Sequence, residues 1–299
     1  MITFKAKTEN GVLVRSTFEQ FSFPAGETHL RTDPTIGVRP TEIAIAQFSP
    51  ESLHTDLFTL QMWGSVLDDG PNYNTKRILI LPYLPGARAD RGLPFGAEIY
   101  AKAVAAIEPD VLLSFDPHSE TWLNEFYTHS PYTTGVALGP AALSQIFEGS
   151  DYDGIIAPDK GAVERAAGMA NKLDLTLYVA GKERDFSTGK LTKFVVPEDL
   201  PMEGKFLIVD DICDGGGTFA GLATAIAAER KPKEVGTYSG TFSMDLFVSH
   251  GIFSGSALDT LPGIFKTVYT TNSFLNHRHN DMPEGVAVID VIKFILGKI

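Results

Sequence analysis

Short apolar runs bounded by glycine, proline or charge recur along the chain, and between several of them lie alanine-rich stretches whose apolar residues fall three and four apart. The first pattern predicts strands over 42–48, 77–81, 111–115, 154–157, 175–180, 206–209, 234–238 and 267–270. The second predicts helices over 95–107, 161–173 and 218–230. Strands that alternate with helices in this way feed a mostly parallel sheet flanked by helices, which is the α/β class. Two stretches share one plan of strand, acidic turn with glycine, then helix: "YDGIIAPDKGAVERAAGMANKL" and "GKFLIVDDICDGGGTFAGLATAI". The segment 133–154 has mixed turn chemistry and marks a soft boundary near 145.

Composition narrows the class further. At 299 residues, 43% hydrophobic and 21% charged, the chain can bury a core without staples, as one large α/β domain or two ordinary ones. No apolar stretch approaches the roughly 20 residues of a membrane span, and the amino-terminal MITFKAKTENG has no signal-peptide pattern. The single cysteine, Cys213, has no internal partner, so the expected setting is the cytoplasm. The formal net charge of −12 speaks against nucleic acid as a partner. Small groups such as Arg88/Arg91 and Lys182/Arg184 suit small anions better, or are solvated surface charge.

One stretch carries distinctive chemistry. "FLIVDDICDGGGTF", 206–219, sets Asp210, Asp211 and Asp214 around Gly215, Gly216 and Gly217, between a predicted strand and a predicted helix. Such a loop lies at the carboxyl edge of a sheet, where open α/β folds bind ligands, and its glycines and helix start suit a phosphate. No Gly-Lys-Ser/Thr tripeptide exists, which removes the P-loop reading. The dinucleotide pattern is met formally by Gly215, Gly217 and Ala220, but three carboxylates precede it. Two like charges about 4 Å apart repel by on the order of 4 kcal/mol at an effective dielectric near 20, so hydroxyls or a divalent cation must offset them beside a phosphate. A ribose phosphate answers both needs: adjacent aspartates accept from the 2- and 3-hydroxyls while the turn and Thr218 donate to the phosphate. The alternative is an acidic turn that binds Mg²⁺ or is merely solvated.

"VDDICDGGGT" resembles the phosphoribosyl-pyrophosphate loop of type I phosphoribosyltransferases and of the ribose-phosphate diphosphokinases, or phosphoribosyl-pyrophosphate synthetases. The rest of the chain favours the second family: "FPAGE" at 23–27, "YLPGARADRG" at 83–92, "FDPHSE" at 115–120, "APDKGAVERAAGMANKL", "GKERD" and "SHGIFSGSA" at 249–257 follow its motifs in order. The resemblance implies two type I phosphoribosyltransferase-like α/β domains, 1–145 on the nucleotide side and 146–299 with the ribose-phosphate loop, the last helix being free to pack back on the first domain. It implies Mg-dependent transfer of a diphosphoryl group from ATP to the anomeric hydroxyl of ribose 5-phosphate, with release of AMP, by a homo-oligomer. By the same resemblance Lys182 and Arg184 stabilise the moving diphosphate. Asp210, Asp211, Asp214, Gly215, Gly216, Gly217 and Thr218 bind the ribose phosphate. Phe23, Glu27, Arg88, Asp90 and Arg91 bind the nucleotide, and His118 and Asp159 hold Mg²⁺.

Departures from the family fall on substrate recognition. Gly215 stands where a threonine is usual, Ala25 where an aspartate is common, and Ala89 where a glutamine is common. The first removes a hydroxyl donor and a side chain from the phosphate cradle, which makes room. Three readings follow: an ordinary ribose-phosphate diphosphokinase; a related enzyme with a larger acceptor such as ADP-ribose, in a pathway that rebuilds NAD; and a regulatory relative without catalysis. The cations Lys182 and Arg184, retained with His118 and Asp159, argue against the third.

Overall fold

The computed structural model describes residues 1–32, 39–69, 75–148, 150–184, 191–229 and 242–299, with the backbone alone at 69, 184, 191 and 192. The residues fall into two compact units. The first comprises Met1–Leu138, Ser273–His277 and Val291–Ile299; the second comprises Gly139–Asn272 and Arg278–Asp290. The chain therefore changes unit at 138/139, before the boundary read from turn chemistry, and its last nine residues belong to the first unit.

In the first unit the chain forms β1 (Ile2–Lys7), β2 (Leu13–Arg15), β3 (Glu19–Ser22), β4 (Thr28–Arg31), β5 (Thr41–Ala46), α1 (Leu53–Asp69), β6 (Lys76–Leu81), α2 (Gly96–Ala105), β7 (Val111–Phe115), α3 (Glu120–His129) and β8 (Thr134–Leu138). Six of these strands make one sheet in the order β2-β1-β5-β6-β7-β8. The pairs from β5 to β8 are parallel, whereas β1 runs antiparallel to β2 and β5. β5 and β6 are central and buried on both faces, which is why they read as continuous apolar runs. α2 buries Ala97, Ala101, Val104 and Ala105 along one stripe. β3 and β4 form a separate antiparallel hairpin.

The second unit contains β9 (Gly154–Ala157), α4 (Val163–Leu173), β10 (Thr176–Val179), β11 (Gly181–Arg184), β12 (Leu191–Val195), β13 (Gly204–Cys213), α5 (Gly217–Glu229), β14 (Phe242–Gly251), α6 (Ala257–Thr260), β15 (Val268–Thr271) and β16 (Val286–Ile289). α7 (Val291–Leu296) returns to the first unit. Six strands form an all-parallel sheet in the order β10-β9-β13-β14-β15-β16. α4 buries Ala166, Met169 and Ala170, and α5 buries Phe219, Leu222, Ala223 and Ile226, the spacings of a helix laid on a sheet. Both units are thus α/β layers with mostly parallel sheets flanked by helices, the fold class expected.

Several elements were not expected, and two differences bear on the site. β13 continues to Cys213, beyond the expected end at 209, because β14 runs beside it and keeps pairing as far as Cys213 with Gly251. β14 itself was not expected: its run FSMDLFVSHG is interrupted by Asp245, Ser249 and His250, all buried. The Asp245 carboxylate is satisfied there by the Tyr152 hydroxyl at 2.6 Å and the Thr267 N–H at 2.8 Å. The expected strand 234–238 lies outside the described residues.

Candidate functional site

Because all six strands of the second unit's main sheet run the same way, everything that follows one of them lies at one edge of that sheet. Within that edge, β9 is followed on one side by β10 and on the other by β13, so the chain reverses its direction of winding at β9. Crevices at such reversals are where open α/β sheets take ligands. Asp159, just past β9, and Asp210, Asp211 and Asp214, at the end of β13, flank this reversal.

Asp210 and Asp211 lie near the carboxyl end of β13, which closes at Cys213. Asp211 is 4% exposed. Each carboxylate accepts from the N–H of the next residue: Asp210 Oδ1 from Asp211 at 2.9 Å, Asp211 Oδ1 from Ile212 at 2.8 Å. Arg165, on α4, reaches both, with its guanidinium 3.7 Å from Asp210 Oδ1 and 3.5 Å from Asp211 Oδ2. Burial, together with the neighbouring Asp211 charge, raises the Asp210 pKa to about 8, with Arg165 pulling the other way. The charged form of Asp210 is therefore disfavoured beside Asp211.

The turn after β13 carries the glycines. Gly216 has φ +77°, the left-handed region, and a Cβ there would lie 3.2 Å from the Leu261 side chain, so only glycine fits without strain. Gly215 is different: it is exposed, and the nearest neighbour of an added Cβ is Ser254 Oγ at 3.8 Å. Gly217 opens α5 with nothing within 4 Å of an added Cβ. Ser254 donates to Asp214 Oδ1, tying the "SHGIFSGSA" segment to the turn. Just before the turn, burial and the adjacent aspartates push the Cys213 thiol up to about 12, so it is an inert core residue.

Across the reversal, Asp159 caps the turn that starts α4: its Oδ1 accepts from the Gly161 N–H at 2.9 Å. Its Oδ2 accepts from Lys182 Nζ at 2.6 Å, and the same ammonium donates to Thr218 Oγ1 at 3.3 Å. Burial alone would raise the Asp159 carboxyl, but Lys182 and the N–H groups of Gly161 and Ala162 outweigh it and hold it below the usual range. Lys182 thus joins the acidic end of β9 to the helix start beyond the glycine turn. It stands on the β11–β12 hairpin, opposite Phe194. Arg184 ends β11, but its side chain lies outside the described residues.

The remaining candidates belong to the first unit, and those at 88–91 and 118 follow the carboxyl ends of its parallel strands β6 and β7. Arg88, Asp90 and Arg91 lie in the loop between β6 and α2, with Arg88 and Arg91 exposed and Arg91 Nε 3.7 Å from Asp90. The loop is anchored by Trp122 Nε1 donating to the Pro85 carbonyl at 2.9 Å. His118 is half-buried on the turn between β7 and α3. Phe23 and Glu27 close the tip of the β3–β4 hairpin, where the Phe23 N–H donates to the Glu27 carbonyl at 2.8 Å. There Phe23 stacks on His29 at 5.8 Å. Among the described residues, the cluster of three metal-capable side chains is Glu98, Glu125 and His129, which includes neither His118 nor Asp159.

Reading the sequence missed two residues and one bond. Arg165 lies on a helix and faces Asp210 and Asp211 only once α4 packs beside β13. Ser254 and the Lys182–Thr218 bond join segments 40 and 36 residues apart, which no local pattern signals.

Comparison with known proteins identifies the family. Residues 137–239 match the phosphoribosyl transferase domain family. The chain is 30% identical over 284 residues to a ribose-phosphate pyrophosphokinase of Sulfurisphaera tokodaii, covering 93% of this chain and 89% of that one. It is 28% identical to the Pyrococcus abyssi ribose-phosphate pyrophosphokinase, covering 92% and 87%. Its fold is similar to the crystal structure of phosphoribosylpyrophosphate synthetase from Mycobacterium smegmatis, with a TM-score of 0.75, 21% identity, and coverage of 95% and 89%. A relative this similar along nearly the whole of both chains, joined to an acidic pair, a glycine turn and a helix start at the sheet reversal, places the chain in the ribose-phosphate pyrophosphokinase family, as a divergent diphosphokinase-type transferase.

Proposed function

We propose that this protein transfers the diphosphoryl group of ATP to the anomeric hydroxyl of ribose 5-phosphate, giving phosphoribosyl pyrophosphate and AMP. The observation that carries the reading is the Lys182 ammonium, held between Asp159 and Thr218 at the mouth of the glycine turn. In the proposed reaction the anomeric oxygen attacks the β-phosphorus. The bond from that phosphorus to the oxygen bridging to the α-phosphate breaks, AMP leaves with the bridging oxygen, and the hydroxyl proton passes to solvent. Such a transfer asks for positioning and neutralised charge, with little covalent help.

Asp210 and Asp211 accept from the ribose hydroxyls, while Asp214 to Thr218 hold the acceptor phosphate, with N–H groups of the turn and the start of α5 as donors. Lys182 and Arg184 follow the charge on the moving diphosphate. Phe23, Glu27, Arg88, Asp90 and Arg91 take the nucleotide, with Phe23 and Glu27 serving a neighbouring copy in a homo-oligomer. Asp159, kept ionised, offers the hard oxygen donors that Mg²⁺ takes, and His118, on the first unit, is the softer donor proposed with it. Mg²⁺ when bound neutralises phosphate charge.

A second reading has its own support. Gly215 is exposed and unstrained, with Ser254 Oγ at 3.8 Å the nearest neighbour of an added Cβ, so its lack of a side chain enlarges the cradle without a backbone need. ADP-ribose, which carries the same ribose 5-phosphoryl group with more attached, is the acceptor in that reading. Purified protein incubated with Mg-ATP and either acceptor, followed by AMP release and acceptor mass, tests both. A diphosphate mass gain on ribose 5-phosphate alone supports the first; a gain on ADP-ribose alone replaces it with the second. Absence of AMP with either would overturn both and leave a binding-only relative.

A further inference from the structure

The hairpin that carries Lys182 is not part of either main sheet, so something else must hold it. Within the hairpin, Lys182 is paired directly with Phe194, and partners opposite one another in an antiparallel pair project from the same face. That face meets α5. A Cβ built on Gly221 would lie 2.2 Å from Phe194 Cε2, 2.9 Å from Cζ and 3.1 Å from Cδ2, so the ring fills the space that any side chain at 221 would need. Gly221 has no positive φ to require glycine; what it supplies is room. Thr218, three residues earlier on the same helix face, is the residue Lys182 touches. Ring and ammonium thus project from one hairpin face onto one helix face, a single turn apart.

We infer that Phe194 seated on Gly221 is the positioning device that sets Lys182 against Thr218 and Asp159 for diphosphoryl transfer. Neither residue touches substrate; both act through the lysine. The inference rests on the catalytic role proposed for Lys182, and it deepens that role by naming what fixes the ammonium's place. Glycine in a helix interior ordinarily costs roughly 1 kcal/mol relative to alanine, so alanine at 221 improves helix propensity while it blocks the seat. An effect on turnover would therefore come from the hairpin and not from a weakened helix.

Gly221→Ala is expected to lower kcat for AMP release by on the order of tenfold to a hundredfold, the loss that a displacement near 1 Å produces. KM for ribose 5-phosphate and the thermal midpoint should stay close to the parent. Phe194→Leu added to Gly221→Ala should recover much of kcat, because the shorter side chain clears the methyl group. In a Lys182→Ala background Gly221→Ala should change kcat no further, since there is no ammonium left to place. If Gly221→Ala loses the same factor with and without Lys182, or if Phe194→Leu gives no recovery, the inference is overturned while the role of Lys182 stands. If Lys182→Ala alone leaves kcat unchanged, the catalytic reading falls and the inference with it. Should Gly221→Ala not fold, Phe194→Ala in the two lysine backgrounds gives the same comparison.

Discussion

Arg165 lies against both aspartates near the end of β13, and its removal has a calculable signature. Its guanidinium lies 3.5 and 3.7 Å from the two carboxylates, and the three side chains are only 12%, 14% and 6% exposed. At an effective dielectric near 20, each ionised carboxylate at that range attracts it by about 4–5 kcal/mol. Removing the arginine also relieves its own desolvation, and measured losses on breaking buried pairs run to about 3 kcal/mol or more. Asp210 stays protonated up to about pH 8, so the arginine faces one negative charge at pH 7 and two at pH 9. Arg165→Leu should therefore cost about 3 kcal/mol at pH 7 and roughly 1–2 kcal/mol more at pH 9, measured by urea unfolding in EDTA. Without the substitution, the folded protein binds a proton that the unfolded chain releases near pH 4, so stability falls as pH rises from there toward about 8. Asp210→Asn should flatten that slope and abolish the pH-dependent growth of the Arg165→Leu effect. A loss below about 1 kcal/mol that is equal at pH 7 and 9 would refute the reasoning, because it would mean that water already screens the pair.

Other expectations follow from the same site. Lys182→Ala should lower kcat by roughly a hundredfold to a thousandfold while the Kd for ATP, measured by titration, moves little; equal losses in both would place the lysine in binding. A Cβ at 215 would meet nothing nearer than 3.8 Å and the position is exposed, so Gly215→Thr should change stability by less than about 0.5 kcal/mol. If the open cradle governs the acceptor, kcat/KM should shift toward ribose 5-phosphate over ADP-ribose, and an unchanged ratio would exonerate position 215. Asp211→Asn keeps the acceptor oxygen for the Ile212 N–H, so the turn should persist while KM for the acceptor rises; unchanged acceptor saturation would remove Asp211 from the ribose contacts.

Much of this arrangement could be read from the chain because it is local. A parallel sheet buried on both faces writes its strands as apolar runs, which made β5, β6, β7, β9 and β13 visible. The aspartates and glycines are contiguous, so their chemistry could be weighed before any fold was known. β14 was hidden because burial there is compatible with charge: Asp245 breaks the apolar run and is satisfied by Tyr152, 93 residues away. The end of β13 was misread for a related reason, since Asp210 and Asp211 look like loop residues until β14 pairs beside them. Arg165 shows the same limit. Six residues past Asp159 it reads as one more polar position on a helix, and its charge acquires a purpose only through packing against another strand.

The reversal of winding at β9 has a consequence for how such a protein can change. The chain leaves β10 at the carboxyl edge and must cross β9 to begin β13, and the β11–β12 hairpin is inserted in that crossing. It shares no ladder with the six-stranded sheet, so its length and composition can drift without disturbing a single rung of it. The hairpin is then a separable part: descendants of one scaffold can edit this one crossing while the aspartates and glycines at the end of β13 keep their places.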